Sequence, residues 1–116
     1  MPLADLEFEI TDRVVIAHVD GEIDMSNADE LGNAVLLRLT NDALGLVVDL
    51  RKVDYLDSAG IQLIYTLRER LDTRGQQLRL VVGAEAPISE ALRIADVSRS
   101  VGAFETVDAA RQSIAA

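Results

Sequence analysis

The chain has no cysteine and no tryptophan, only two prolines and a single histidine. Without cysteine there is no disulfide, no thiolate nucleophile and no cysteine-ligated zinc, which fits a cytoplasmic setting. Aromatic residues make up 3% of the sequence, so the core must be built from Leu, Val, Ile and Ala. No apolar run approaches the roughly 20 residues that a helix needs to cross a bilayer. Asp5, Glu7 and Glu9 interrupt the N-terminus where a secretory leader would be apolar, so neither a leader nor membrane insertion is expected. Positive charge is also scarce. Eleven Lys and Arg against twenty Asp and Glu give a net charge of −9, a field that repels nucleic acid and anionic membranes and leaves basic partners as the complement.

The motifs of common catalysts are missing as well. There is no Walker A loop, no Rossmann glycine pattern and no Gly-x-Ser-x-Gly elbow. His18 alternates with Val14 and Ile16, which reads as a satisfied structural histidine rather than a general base. Neither catalysis nor a cofactor is expected.

What is present is one domain's worth of amphipathic segments. The 116 residues are 49% apolar, enough for a core, and show no linker, repeat or low-complexity stretch, so we expect a single domain over residues 1–116. Phe8–Ile10 and Val14–Val19 flank the turn-like Thr11-Asp12-Arg13 and predict a β-hairpin, with Glu22–Asp24 continuing the second strand past Asp20-Gly21. A helix follows, capped by Ser26 or Asn27 and buried along Ala28, Leu31, Val35, Leu36 and Leu39. Leu46–Leu50 reads as a central strand buried on both faces. Asp54–Gly60 reads as a polar turn, and Ile61, Ile64, Leu67 and Leu71 mark a second helix that ends at Arg74-Gly75. Leu78–Val82 completes a right-handed βαβ unit. Pro87 opens a third helix over Ile88, Ala91, Leu92 and Ala95, Gly102–Phe104 is a short edge strand, and Thr106 caps a last helix with Val107, Ala110 and Ile114. The result is an α/β chain with a mixed sheet.

Two groups of residues could carry chemistry. Asp24, Asp49, Asp54 and Asp57 could gather at one end of the sheet, but no calcium-loop spacing accompanies them, and no metal is expected. Asp57-Ser58-Ala59-Gly60 stands where a buried strand gives way to a helix. Asp57 or Ser58 can satisfy the free N–H groups of the first turn, and the small Ala59 and Gly60 leave the hydroxyl open to another protein. A helix N-terminus also tolerates an anion, so a phosphate on Ser58 need not unfold the domain. Taken alone, such an Asp-Ser pair is also an ordinary helix cap.

The stretch Val47-Val48-Asp49-Leu50-Arg51-Lys52-Val53-Asp54-Tyr55-Leu56-Asp57-Ser58-Ala59-Gly60-Ile61 resembles the signature of the STAS domain family, the sulfate-transporter and anti-sigma-factor-antagonist domains. Gly21-Glu22-Ile23-Asp24 resembles the family's other marked turn, and the order of later elements matches from about Phe8 to Ile114. The resemblance implies a STAS-like mixed β-sheet with four helices packed mainly on one side. It implies the bacterial anti-sigma-factor-antagonist type, a cytoplasmic transcription regulator. Such a domain binds an anti-sigma factor that is also a serine kinase, frees a sigma factor, and lets go when Ser58 is phosphorylated. A metal-dependent serine phosphatase would reset it. The resemblance places partner binding on Asp24, Met25, Asp57, Ser58, Ala59 and Gly60, with Asp24 orienting Ser58. Ala59 stands where many members carry a second serine. The alternative roles in the family are a subunit of a stress-sensing scaffold or of a lipid-transport ATPase. The acidic surface predicts a monomer or weak dimer.

Overall fold

The computed structural model describes residues 4–114; the ends of the expected 1–116 domain, residues 1–3 and 115–116, lie outside the described residues. Five strands form one sheet in sequence order: β1 (Ala4–Thr11), β2 (Val14–Ile23), β3 (Gly45–Leu56), β4 (Gln77–Val81) and β5 (Gly102–Phe104). β1 and β2 are antiparallel, and every later pairing is parallel. The β1–β2 turn is only Asp12-Arg13, both with positive φ (54° and 65°), the geometry that matches strand twist in a two-residue hairpin. An arginine is costly in that region. It is held by two hydrogen bonds from its guanidinium to the Asp42 carbonyl, at 3.1 and 2.7 Å.

The connections are α1 (Ala28–Arg38), α2 (Ser58–Thr73), α3 (Pro87–Ile94) with the single turn α4 (Val97–Ser100), and finally α5 (Val107–Gln112). Successive parallel strands added in one direction by right-handed crossovers put their helices on the same face. The side-chain alternation agrees. Val15, Ala17, Leu46, Val48 and Leu80 point into the large core with Leu31, Ile64, Leu71 and Leu92, while Val14, Ile16, Val47 and Val81 pack with Ala110 and Ile114. The family of four helices and one short turn is therefore mainly one-sided, with α5 on the reverse face. α2 closes with a Schellman arrangement: Gly75 takes a left-handed φ of 71°, its N–H donates to Asp72, and the Gln76 N–H donates to Leu71.

Two expectations change. Asp54–Leu56 is strand rather than turn, because β2 runs on beside it and supplies pairing up to Ile23–Leu56. β3 accommodates this by carrying one extra residue between the His18–Asp49 and Asp20–Lys52 pairs, and another between Gly21–Val53 and Glu22–Tyr55. Neither proposed residue caps α1 with its side chain; Asn27 is the boundary residue and its side chain works elsewhere.

Burial sets the scale for stability. Leu80 is fully buried, so Leu80→Ala should cost about 2–5 kcal/mol in urea unfolding. Leu37 is 85% exposed on α1, and Leu37→Ala should stay within about 0.5 kcal/mol of the parent.

Candidate functional site

β2 and β3 end side by side. Ile23 pairs with Leu56, and the Asp57 N–H donates to the Ile23 carbonyl at 3.3 Å. One residue beyond that rung the chain leaves the sheet in two adjacent turns, Asp24–Asn27 into α1 and Asp57 into α2. The two acidic positions singled out from the sequence are thereby brought together at the carboxyl ends of parallel strands, a common location for binding sites in such sheets.

The second turn is built by Asp57. It is the N-cap of α2, and its Oδ1 accepts from Ala59 N at 2.9 Å and from Gly60 N at 3.2 Å. Ser58 is therefore the first helical residue, not the cap. It is exposed, and its hydroxyl has no hydrogen-bond partner among the described residues. Gly60 is buried where any Cβ would collide with the Leu56 side chain, so glycine is required for the helix to approach the end of β3. The arrangement revises one expectation. Two of the first-turn N–H groups, those of Ala59 and Gly60, are already taken by the Asp57 carboxylate, so an anion on Ser58 would stand beside that carboxylate at a helix end whose amides are largely occupied.

The first turn is built by Asn27, which is buried. Its Oδ1 accepts from Asp24 N at 3.0 Å and its Nδ2 donates to the Glu22 carbonyl at 2.8 Å. Asp24 Oδ1 accepts from both the N–H (2.8 Å) and the hydroxyl (2.6 Å) of Ser26. Asp24 thus stabilises its own loop; its hydrogen bonds go to Ser26 and not to Ser58. The loop holds Met25 out in solvent, 84% exposed. Met25 and Ala59 stand at one end of a groove of about 450 Å³ between α1 and α2, with Ala28, Gly32, Leu36 and Leu63 along it. Of the residues expected to bind a partner, Met25 and Ala59 line this groove, and Asp24, Asp57, Ser58 and Gly60 do not; the groove itself is not visible in the sequence, because it exists only once two helices far apart in sequence are laid together. Sequence reading also left Tyr55, a half-exposed aromatic at the end of β3, inside a supposed polar turn.

The four aspartates do not gather. Asp49 lies back along β3, on the sheet face opposite the main helix layer, and is buried beside His18 and Arg51. Among the described residues no cluster of His, Cys, Asp and Glu has the makings of a metal site. Burial alone would raise the Asp49 pKa, but hydrogen bonds from Arg51 and His18 outweigh it and hold the carboxyl below its ordinary value. Both ring nitrogens of His18 have partners: Nδ1 lies 2.7 Å from Asp49 Oδ2 and Nε2 lies 2.8 Å from Glu9 Oε1. Strand alternation could have grouped the three, since each points to the same sheet face.

The cap assignment is testable on its own. Asp57→Ala should lower stability by about 0.5–2 kcal/mol in thermal or urea unfolding, while Asp57→Asn, which still accepts the two N–H groups, should lose much less.

Comparison with known proteins agrees with this architecture. The sequence pattern of the STAS domain family matches residues 5–110. A search of curated proteins finds no significant match. Among solved structures, an anti-sigma factor antagonist from Mycobacterium paratuberculosis superposes with a TM-score of 0.84 at 24% identity, covering 96% of this chain and 93% of that one. The anti-sigma factor antagonist SpoIIAA in its unphosphorylated form gives 0.75 at 13% identity, covering 93% and 94%. The phosphorylated form of SpoIIAA, a Bacillus cell fate determinant, gives 0.66 at 14% identity, covering 96% and 100%. At these identities the structural likeness establishes a shared fold, and the sequence match over most of the chain establishes the family: this protein belongs to the STAS domain family.

Proposed function

We propose that this STAS domain is an anti-sigma-factor antagonist, a non-catalytic binding module whose partner is an anti-sigma factor with serine-kinase activity. The observation that carries the reading is the setting of Ser58: an exposed hydroxyl at the first position of a capped helix, beside a second acidic turn. Binding of the unphosphorylated domain through Asp24, Met25, Asp57, Ser58, Ala59 and Gly60 releases a sigma factor for transcription. Such partners work in the cytoplasm, and the domain acts there as a single unit, monomeric or weakly dimeric. A metal-dependent serine phosphatase reverses the modification.

The switch is electrostatic. A phosphoserine adds a charge of about −1.5 to −2. At Ser58 it sits beside the Asp57 carboxylate, near Asp24, on a chain of net charge −9. Two of the N–H groups that would offset it, those of Ala59 and Gly60, are already bonded to Asp57. Because Ser58 faces water, the fold tolerates the added group, whereas an interface that desolvates it does not: like charge buried at a contact costs several kcal/mol. No rearrangement of the domain is needed.

Ser58→Asp should weaken anti-sigma binding by on the order of a hundredfold in calorimetry, while Ser58→Ala retains it, with circular dichroism unchanged in both. Equal affinity for the two variants would end the switch reading. Incubation with the kinase and ATP should place the phosphate on Ser58 by mass mapping. Asp24→Lys would also disturb the loop through Ser26, so Met25→Lys, at an 84% exposed side chain, is the cleaner test of the surface: affinity should drop with thermal stability preserved.

A further inference from the structure

The reverse face of the sheet is divided. Its lower half is covered by α5 through Ala110 and Ile114, packed on Val14, Ile16, Val47 and Val81. Beyond these, β1–β3 present charged side chains around an open cavity of about 380 Å³. β1 contributes Asp5, Glu7 and Glu9, and β2 contributes His18 and Asp20. β3 adds Asp49, Arg51 and Lys52. Asp5 pairs directly across from Asp20, a like-charge pair that weakens a ladder, and Glu7 pairs across from His18. β1 is the edge strand, so its outer side has no pairing, and Ile10 near its end is 66% exposed.

On the other face of β1, Ala4, Leu6 and Phe8 pack against the main core; on this face His18 is the side chain that links β1 to β3. Its two ring nitrogens reach carboxylates on opposite neighbours, Glu9 on β1 and Asp49 on β3, at 2.8 and 2.7 Å. Ionised carboxylates only accept, so both nitrogens must donate, and a neutral imidazole has one N–H. We propose that His18 is a pH-operated clip: as imidazolium it fastens the edge strand β1 to β3 across β2, and on losing its proton it gives up the β1 side of that link and loosens the strand, which stays paired with β2.

The direction of release follows from burial. Asp49 is 8% exposed, and Arg51 also holds it, at 2.9 Å from both carboxylate oxygens. Deprotonated His18 keeps its single N–H on this buried acceptor. Nε2 then turns a lone pair toward the Glu9 carboxylate, which is 53% exposed and free to swing into water. Loss of the imidazolium also leaves Arg51 and Lys52 as the cations that line this cavity against Asp5, Glu7, Asp20 and Asp49 among the described residues, with Glu9 beside them. At its other end β1 pairs Ala4 with Gly21, at the foot of the loop that carries Asp24 and Met25.

Burial works against the charge on His18, but the hydrogen bonds to Glu9 and Asp49 overcome it and raise the pKa above its ordinary value. A raised folded-state pKa means that the clip is complete below about pH 6.5, the ordinary histidine value, and is lost as pH rises through the folded-state value.

The sole imidazole can be followed without assignment ambiguity by NMR on the intact chain. It should titrate above 6.5 in the parent and closer to 6.5 in Glu9→Gln. Amide protection factors over β1 should fall as it titrates, while those of β3 stay level. Two variants make the result specific. In His18→Gln the β1 protection should no longer depend on pH over this range. In Glu9→Gln it should also be level, because a glutamine amide accepts from the imidazolium and donates to the neutral ring. An imidazole that titrates at or below 6.5, β1 protection that ignores the titration, or an unchanged pH-dependent loss in Glu9→Gln would each overturn the clip. Glu9 is exposed, so that variant reports even if His18→Gln folds poorly.

Discussion

The two turns that carry Asp24 and Ser58 are separated by more than thirty residues, and a short stretch of parallel sheet holds them together. Ile23 pairs with Leu56, and the Asp57 N–H closes onto the Ile23 carbonyl. Without that rung, Asp57 would cap its helix somewhere unrelated to the Asp24 loop. Both β2 and β3 must extend beyond the central core to reach it, and the two extra residues in β3 absorb the difference in their paths. The buried pair Ile23 and Leu56 anchors this outer segment to the main core, and Gly60 lets α2 start directly above it.

From the same strands, alternation produces two unlike faces. Toward the helix layer β2–β4 are aliphatic and dry. On the reverse face the side chains change character along each strand, from Val14 and Ile16 under α5 to His18 and Asp20 beyond it, and from Val47 to Asp49 and Arg51. α5 is only six residues long and covers only part of that face. Charge takes over where it ends, and buried Asp49 is satisfied there by His18 and Arg51.

At the mouth of the site, each acid has a structural duty toward its own turn. Asp57 is occupied by the α2 amides and Asp24 by Ser26, which leaves Ser58 and Met25 as the groups directed outward. A rigid turn with a free hydroxyl suits a site read by a partner: recognition changes with the modification while the scaffold does not. The proposed switch depends on this separation of roles, in which the residues that shape the surface are not the residue proposed to be modified.

The sequence by itself determined the elements and their order. The apolar periods of α1 and α2, the Pro87 start, the Arg74-Gly75 stop and the Thr106 cap all express local preferences that the fold retains, as does the both-faces burial of Leu46–Leu50. The turn around Ser58 was legible because turn chemistry at a strand-to-helix junction is local, and the loop at Asp24 was legible through the resemblance of Gly21-Glu22-Ile23-Asp24 to the family's other turn. What depends on distant partners was not. Asp54-Tyr55-Leu56 looks like a turn until β2 is beside it, Asn27 looks like a helix cap until Glu22 and Asp24 offer it better bonds, and Asp49 looks like a member of an acidic cluster until His18 and Arg51 claim it. Only the tertiary structure decided these, because a hydrogen-bonding side chain settles on the partners that packing brings within about 3 Å, and strand register across residues 14–56 is what brings them there.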